Sequence, residues 1–193
     1  GSVTIAEASS MAIVGVNTGG TTSLTSSAGI SDAGATSIAV GALTLNGTSI
    51  SLGGGTFNAT TVNFNSVGNV TIAEDSSMAI VGVNTAGSAN LSSTAALSDA
   101  GATSVDVTGL GVFTGTSIDL GAGGTFNAGT LTFVAGAGSV TIAEDSSMAI
   151  VGVNTGGTTS LTSTAGISDA GATSVNVGAL TVDGTSISLG GGT

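Results

Sequence analysis

The chain has 193 residues and a formal charge of −11, with only 6% charged residues, all of them Asp or Glu. There is no Lys, Arg, His, Cys, Pro, Trp or Tyr. Without a cation the chain cannot grip phosphate, which excludes nucleic acid as a partner, and it offers nothing to an anionic membrane surface. Disulfides and thiolate metal sites are excluded as well.

Hydrophobic residues make up 40% of the chain, chiefly Val, Ile, Leu and Ala, enough for a core and too many for a disordered segment. No apolar run approaches the roughly 18 residues of a membrane-crossing helix; the longest is Met78-Ala79-Ile80-Val81-Gly82-Val83 and its copies. No membrane insertion is expected.

From the N-terminus onward the chain repeats itself. Val3-Thr4-Ile5-Ala6-Glu7 returns at Val70 to Glu74 and again at Val140 to Glu144. This divides the chain into unit one (1–69), unit two (70–139) and a partial unit three (140–193), with periods of 67 and 70 residues. Units one and three align without a gap from Val3 and Val140, differing at six of 54 positions. Ile38 becomes Val175 and Leu45 becomes Val182, while Ala39 becomes Asn176 and Asn46 becomes Asp183. Apolar positions stay apolar and their neighbours drift toward polar, as strands with one buried and one wet face require.

Within unit two the inward residues are expected to be Val70, Ile72, Ile80, Leu91, Leu97, Val105, Val107, Val112, Ile118, Leu120, Phe126, Leu131 and Phe133. Clusters of Gly, Asn, Asp and Ser between them mark turns, and the density of Gly, Ser and Thr disfavours helix. About nine short strands per unit divide into three rungs of three, cut as Val70 to Ser93, Thr94 to Thr116 and Ser117 to Ser139, which are 24, 23 and 23 residues. The expected fold is all-β, a right-handed parallel β-helix (β-solenoid) with about three rungs per 67–70 residue repeat. An array of β-sandwiches is the alternative. Unit three stops at Thr193, in mid-unit, so the chain reads as a fragment of a longer solenoid.

Val70-Thr71-Ile72-Ala73-Glu74-Asp75-Ser76-Ser77, then Val83-Asn84-Thr85-Ala86-Gly87, Gly115-Thr116-Ser117-Ile118-Asp119-Leu120 and Gly124-Thr125-Phe126-Asn127-Ala128-Gly129-Thr130-Leu131-Thr132-Phe133 resemble repeats of large bacterial surface exoproteins. These are the filamentous-haemagglutinin type, exported by two-partner secretion, and the autotransporter passengers. The resemblance implies a right-handed β-helical shaft, an extracellular, cell-surface or secreted location, and an adhesive or cohesive role. The expected function is therefore the structural shaft of a secreted filament or surface fibre. The alternatives are an adhesin shaft carrying receptor- or glycan-binding surfaces and, more remotely, an ice-binding solenoid with Thr-x-Thr stretches such as Thr130-Leu131-Thr132. Expected partners are further copies of the repeat, through lateral or end-to-end self-association.

The chain is not expected to be an enzyme, and no catalytic, cofactor-binding or metal residue is assigned. A Ser or Thr nucleophile needs a base, and neither His nor Lys exists. The only adjacent acids are Glu74-Asp75 and Glu144-Asp145; unit one has Glu7-Ala8 instead. If Ile72 and Leu97 stack, Glu74 and Asp99 share a corner roughly 5 Å apart with Asp75 beside them. The same holds for Glu7 with Asp32, and for Glu144 and Asp145 with Asp169. Such a corner is either a Ca²⁺ site or a solvated acidic edge that maintains solubility. It lacks the Gly-Gly-x-Gly-x-Asp spacing of calcium-binding β-rolls. Asn46, Asn58, Asn69 and Asn90 match the N-glycosylation pattern.

Overall fold

A computed structural model describes residues 1–190; Gly191, Gly192 and Thr193, where unit three breaks off, lie outside the described residues. Three strands make a turn: Val3–Glu7, Met11–Ile13 and Val16–Gly19. The next strand, Thr22–Ser26, returns to lie parallel on the first, with Thr22 against Val3. This continues for about nine turns as an all-β solenoid in which every ladder among the described residues is parallel. A sandwich array, built from antiparallel sheets, is thereby discarded.

The turns are shorter than the sequence cuts. Stacked partners lie between 18 residues apart, as Val62 and Ile80, and 22 apart, as Ala89 and Gly111. Corners of one or two residues suffice, Gly87 between Val83–Ala86 and Ser88–Ser93, and Thr94-Ala95 before Ala96–Asp99. Val70 consequently stacks on Ala89 and not on Thr94. One ladder runs inward as Ile30, Ile50, Val70, Ala89, Gly111, Leu131 and Ile150; Gly111 is buried, and the other six are at 2% exposure or less. Burying such apolar surface contributes about 25 cal/mol per Å², and here the gain accumulates along the axis.

The expected inward residues of unit two are buried, with one exception. Val112 faces outward between Asn90 and Thr132, and Phe113 takes the inward place. Strand Ser104–Thr114 keeps a single alternation, with Val105, Val107, Gly111 and Phe113 inward, so Val112 falls on the outer face; the register shift between Val107 and Leu110 is taken up by the partner strand, whose buried residues change from Phe126 and Ala128 to Leu131 and Phe133. The Phe113 ring then occupies the space beside Gly111, where a Cβ would stand 2.6 Å from it. It meets Phe126 edge-on with centroids 5.5 Å apart. Of the exchanges between units one and three, Ile38 and Leu45 are buried while Ala39 and Asn176 are exposed.

The cross-section is a triangle with one long and two short faces. In unit one the long face stacks Val3–Glu7, Thr22–Ser26, residues 42–46 and residues 61–65. One short face stacks Met11–Ile13, Gly29–Asp32 and Ser49–Leu52. The other stacks Val16–Gly19, residues 37–40 and residues 56–59. Turns of this length do not divide the unit evenly: Val70 stands in the column of Met11, whereas Val140 stands in that of Met78. Equivalent strands of consecutive units therefore occupy different columns.

Candidate functional site

At each unit boundary the triangle is rebuilt. The two short faces of unit one run into a single strand, Asn69–Glu74: Leu52 pairs with Ile72, and the Asp75 amide donates to the Phe57 carbonyl at 2.8 Å. A few residues on, the long face parts into two, since Val62 pairs with Ile80 while Asn65 pairs with Thr85. Between them the chain turns a corner at Gly82, whose φ of 72° recurs at Gly15 (74°) and Gly152 (72°). Only glycine adopts that left-handed conformation without strain. The boundary between units two and three repeats the pattern, with Leu131 on Ile150 and Val134 on Thr155.

Rebuilding the faces strands backbone amides that a continuing ladder would have satisfied, and buried N–H groups need partners. Three side chains supply them. The Phe57 amide donates to Asp75 Oδ2 at 2.8 Å, and the Ala59 amide donates to Glu74 Oε1 at 3.1 Å. The Phe64 amide donates to Asn84 Oδ1 at 2.9 Å, while Asn84 Nδ2 donates to the carbonyls of Val81, Gly82 and Ser104. At the second boundary Phe126 donates to Asp145, Ala128 to Glu144 and Phe133 to Asn154, each at 2.9 Å. Asn84 and Asn154 are fully buried, and Glu74 and Glu144 are 2% exposed.

A carboxylate in such a place is poorly solvated. Burial pushes Glu74 from the ordinary 4.5 up to about 7, against the lowering pull of the Ser76 hydroxyl and the Ala59 amide, with Asp75 adding to the rise. Burial likewise takes Glu144 to about 7, with Asp145 adding to it. Oε2 of Glu144 is buried without a hydrogen-bond partner. In unit one Glu7 is exposed and its carboxylate accepts from the amide and hydroxyl of Ser9, and Asn17 is half-buried, donating to the carbonyls of Val14 and Gly15.

The expected acidic corner does not form. Ile72 stacks between Leu52 and Leu91, and Leu97 between Met78 and Ile118, so Glu74 pairs with Ser93 and Asp99 pairs with Ile80. Glu7 pairs with Ser26 and not with Asp32, and Glu144 with Ser163 and not with Asp169. Stacking Ile72 on Leu97 took the turn as 25 residues, and the observed turn of 19 separates the two acids. Asp32, Asp99 and Asp169 instead hold the next turn's glycine corner, accepting from the amides of Gly53, Gly121 and Gly190. Burial raises Asp99, with Asp119 adding to the rise. Among the described residues no three His, Cys, Asp or Glu side chains come together as a metal site.

Asn84 and Asn154 are the site residues that sequence reading missed as such. The signal was a polar residue at an inward position of a strand, Val83-Asn84-Thr85. The sequon residues Asn69 and Asn90 are exposed, and Asn46 and Asn58 half-buried. On the long face the outward rows are Thr4, Ser23, Thr44, Asn63 and Ala6, Thr25, Asn46, Asn65, mixed rather than a rank of Thr. The chain matches no protein-family model, no curated protein and no solved structure.

Proposed function

We propose that the chain is a length of structural shaft from a secreted extracellular filament or surface fibre, right-handed, with about three and a half turns per unit and a cohesive or spacer role. The observation that carries this reading is the unit boundary. Two successive boundaries use the same cap residues on the same kinds of strand, so each unit is built to receive another of its kind, as in other solenoids. Absence of Lys and Arg, which leaves trypsin no cleavage site, suits material exposed outside a cell.

The test is direct imaging of arrays with added units. At about 4.8 Å per turn, each unit lengthens the particle by about 17 Å at constant width; particles that thicken or collapse instead count against a shaft. A second reading, a shaft that also carries contact surfaces, draws on Val16, Val83 and Val153. These equivalent residues are exposed at 81%, 64% and 63%, on alternating sides of the shaft. Substituting all three by Thr abolishes lateral bundling in that reading and leaves single shafts unchanged in the first.

A further inference from the structure

We propose that the unit boundaries are proton-dependent joints: Glu74 and Glu144 close them in the neutral acid form, and ionisation loosens the shaft at these points and not between them. Each glutamate enters a place where two faces end on one strand, at 2% exposure. Each carries an oxygen that the Ala59 or Ala128 amide reaches, with the Ser76 or Ser146 hydroxyl as the only side-chain donor among the described residues. One oxygen of Glu144 has no partner at all. A buried carboxylate left partly unsatisfied is costly when charged, and no cation exists anywhere in the side chains to compensate it.

The surroundings do nothing to favour the charge. Around Glu74, the packed strands Ser49–Leu52, Thr56–Asn65 and Ser88–Ser93 carry no charged residue, and the adjacent Asp75 is like-charged. Around Glu144, the strands Thr125–Val134 and Val153–Ser163 carry none, Ser117–Leu120 carries Asp119 outward against Thr141, and Asp145 is adjacent. Every charge in reach is negative. Burial holds both acids near 7, so they change state around neutral pH. The folded joint binds the proton more tightly than the unfolded chain, and the stabilisation it contributes is complete below about 4.5 and is lost as pH rises through about 7.

Amide hydrogen exchange on the whole chain, corrected for intrinsic base catalysis, tests this at residue level. The opening equilibrium of the Ala59 and Ala128 amides is expected to rise on the order of a hundredfold between pH 5 and pH 9. Amides in mid-unit ladders, such as Phe113, are expected to change far less. In the Glu74→Gln, Glu144→Gln double variant, which keeps an acceptor at each joint and cannot ionise, the pH dependence is expected to vanish. A flat wild-type profile, or the same rise in the double variant, overturns the proposal. Should the double variant fail to fold, carbon-13 titration of the two side-chain carboxyls in the wild type decides: midpoints near 7 uphold the joint, and midpoints in the ordinary carboxylate range overturn it.

Discussion

Asn84 accepts the amide of Phe64 through Oδ1 at 2.9 Å, standing where a backbone carbonyl of the next strand would stand had the long face continued. The two hydrogens of its amide nitrogen are shared among the carbonyls of Val81, Gly82 and Ser104. A single side chain thus joins the end of one face to the corner between two others, and Asn154 repeats the arrangement on Phe133. Removing it leaves buried donors and acceptors unpaired. Asn84→Ala is expected to destabilise the chain by about 2–4 kcal/mol in urea denaturation. Asn17→Ala, at the same place in unit one but half-buried and bonded only to Val14 and Gly15, is expected to cost less than about 1 kcal/mol.

The glycines divide by backbone geometry. Gly121 has a φ of 80°, and a Cβ there would collide with the Ala143 backbone. Gly101 has nothing within 4 Å of such an atom and no left-handed φ. Gly121→Ala is expected to lower the melting temperature and loosen the Asp99 contact. Gly101→Ala is expected to be neutral or to stabilise by up to about 1 kcal/mol. Equal melting temperatures for the two variants would contradict this.

Glu74, Glu144 and Asp99 all lie above their ordinary values because burial disfavours the charged form. In each case the folded state holds the proton at a pH where the unfolded chain has released it, so stability falls as pH rises. For the two glutamates the window runs from about 4.5 to about 7. The melting temperature at pH 8.5 is expected to be several degrees below that at pH 5.5. A melting temperature that is flat or rises with pH would reverse the sign.

Calcium is expected to have no effect on the fold. Glu74 and Asp99 sit on strands that do not pair with each other, and each already accepts a backbone amide. A melting temperature unmoved by millimolar calcium or by a chelator is the expected result. A rise with calcium would require a ligand cluster other than these corners.

The sequence by itself determined that this is a parallel solenoid of tandem units with inward Val, Ile, Leu and Phe. Alternation with period two and Gly-rich corners leave few other ways to bury so much aliphatic surface with so little charge. Even Phe57 and Phe126 can be read as core, since each lies two positions from Ala59 or Ala128 on one side of a strand. What only the tertiary structure decided was which turn lies on which. That depends on how many residues each corner spends, one at Gly87 and two at Thr94-Ala95, and local propensity does not fix that number. Taking that turn as six residues too long placed Glu74 beside Asp99, when it stacks on Ser93 and its carboxylate meets the stranded amide of Ala59. The roles of Glu74 and Asn84 follow from that register alone, because a cap is defined by the amide it meets and that amide belongs to a different turn of the chain.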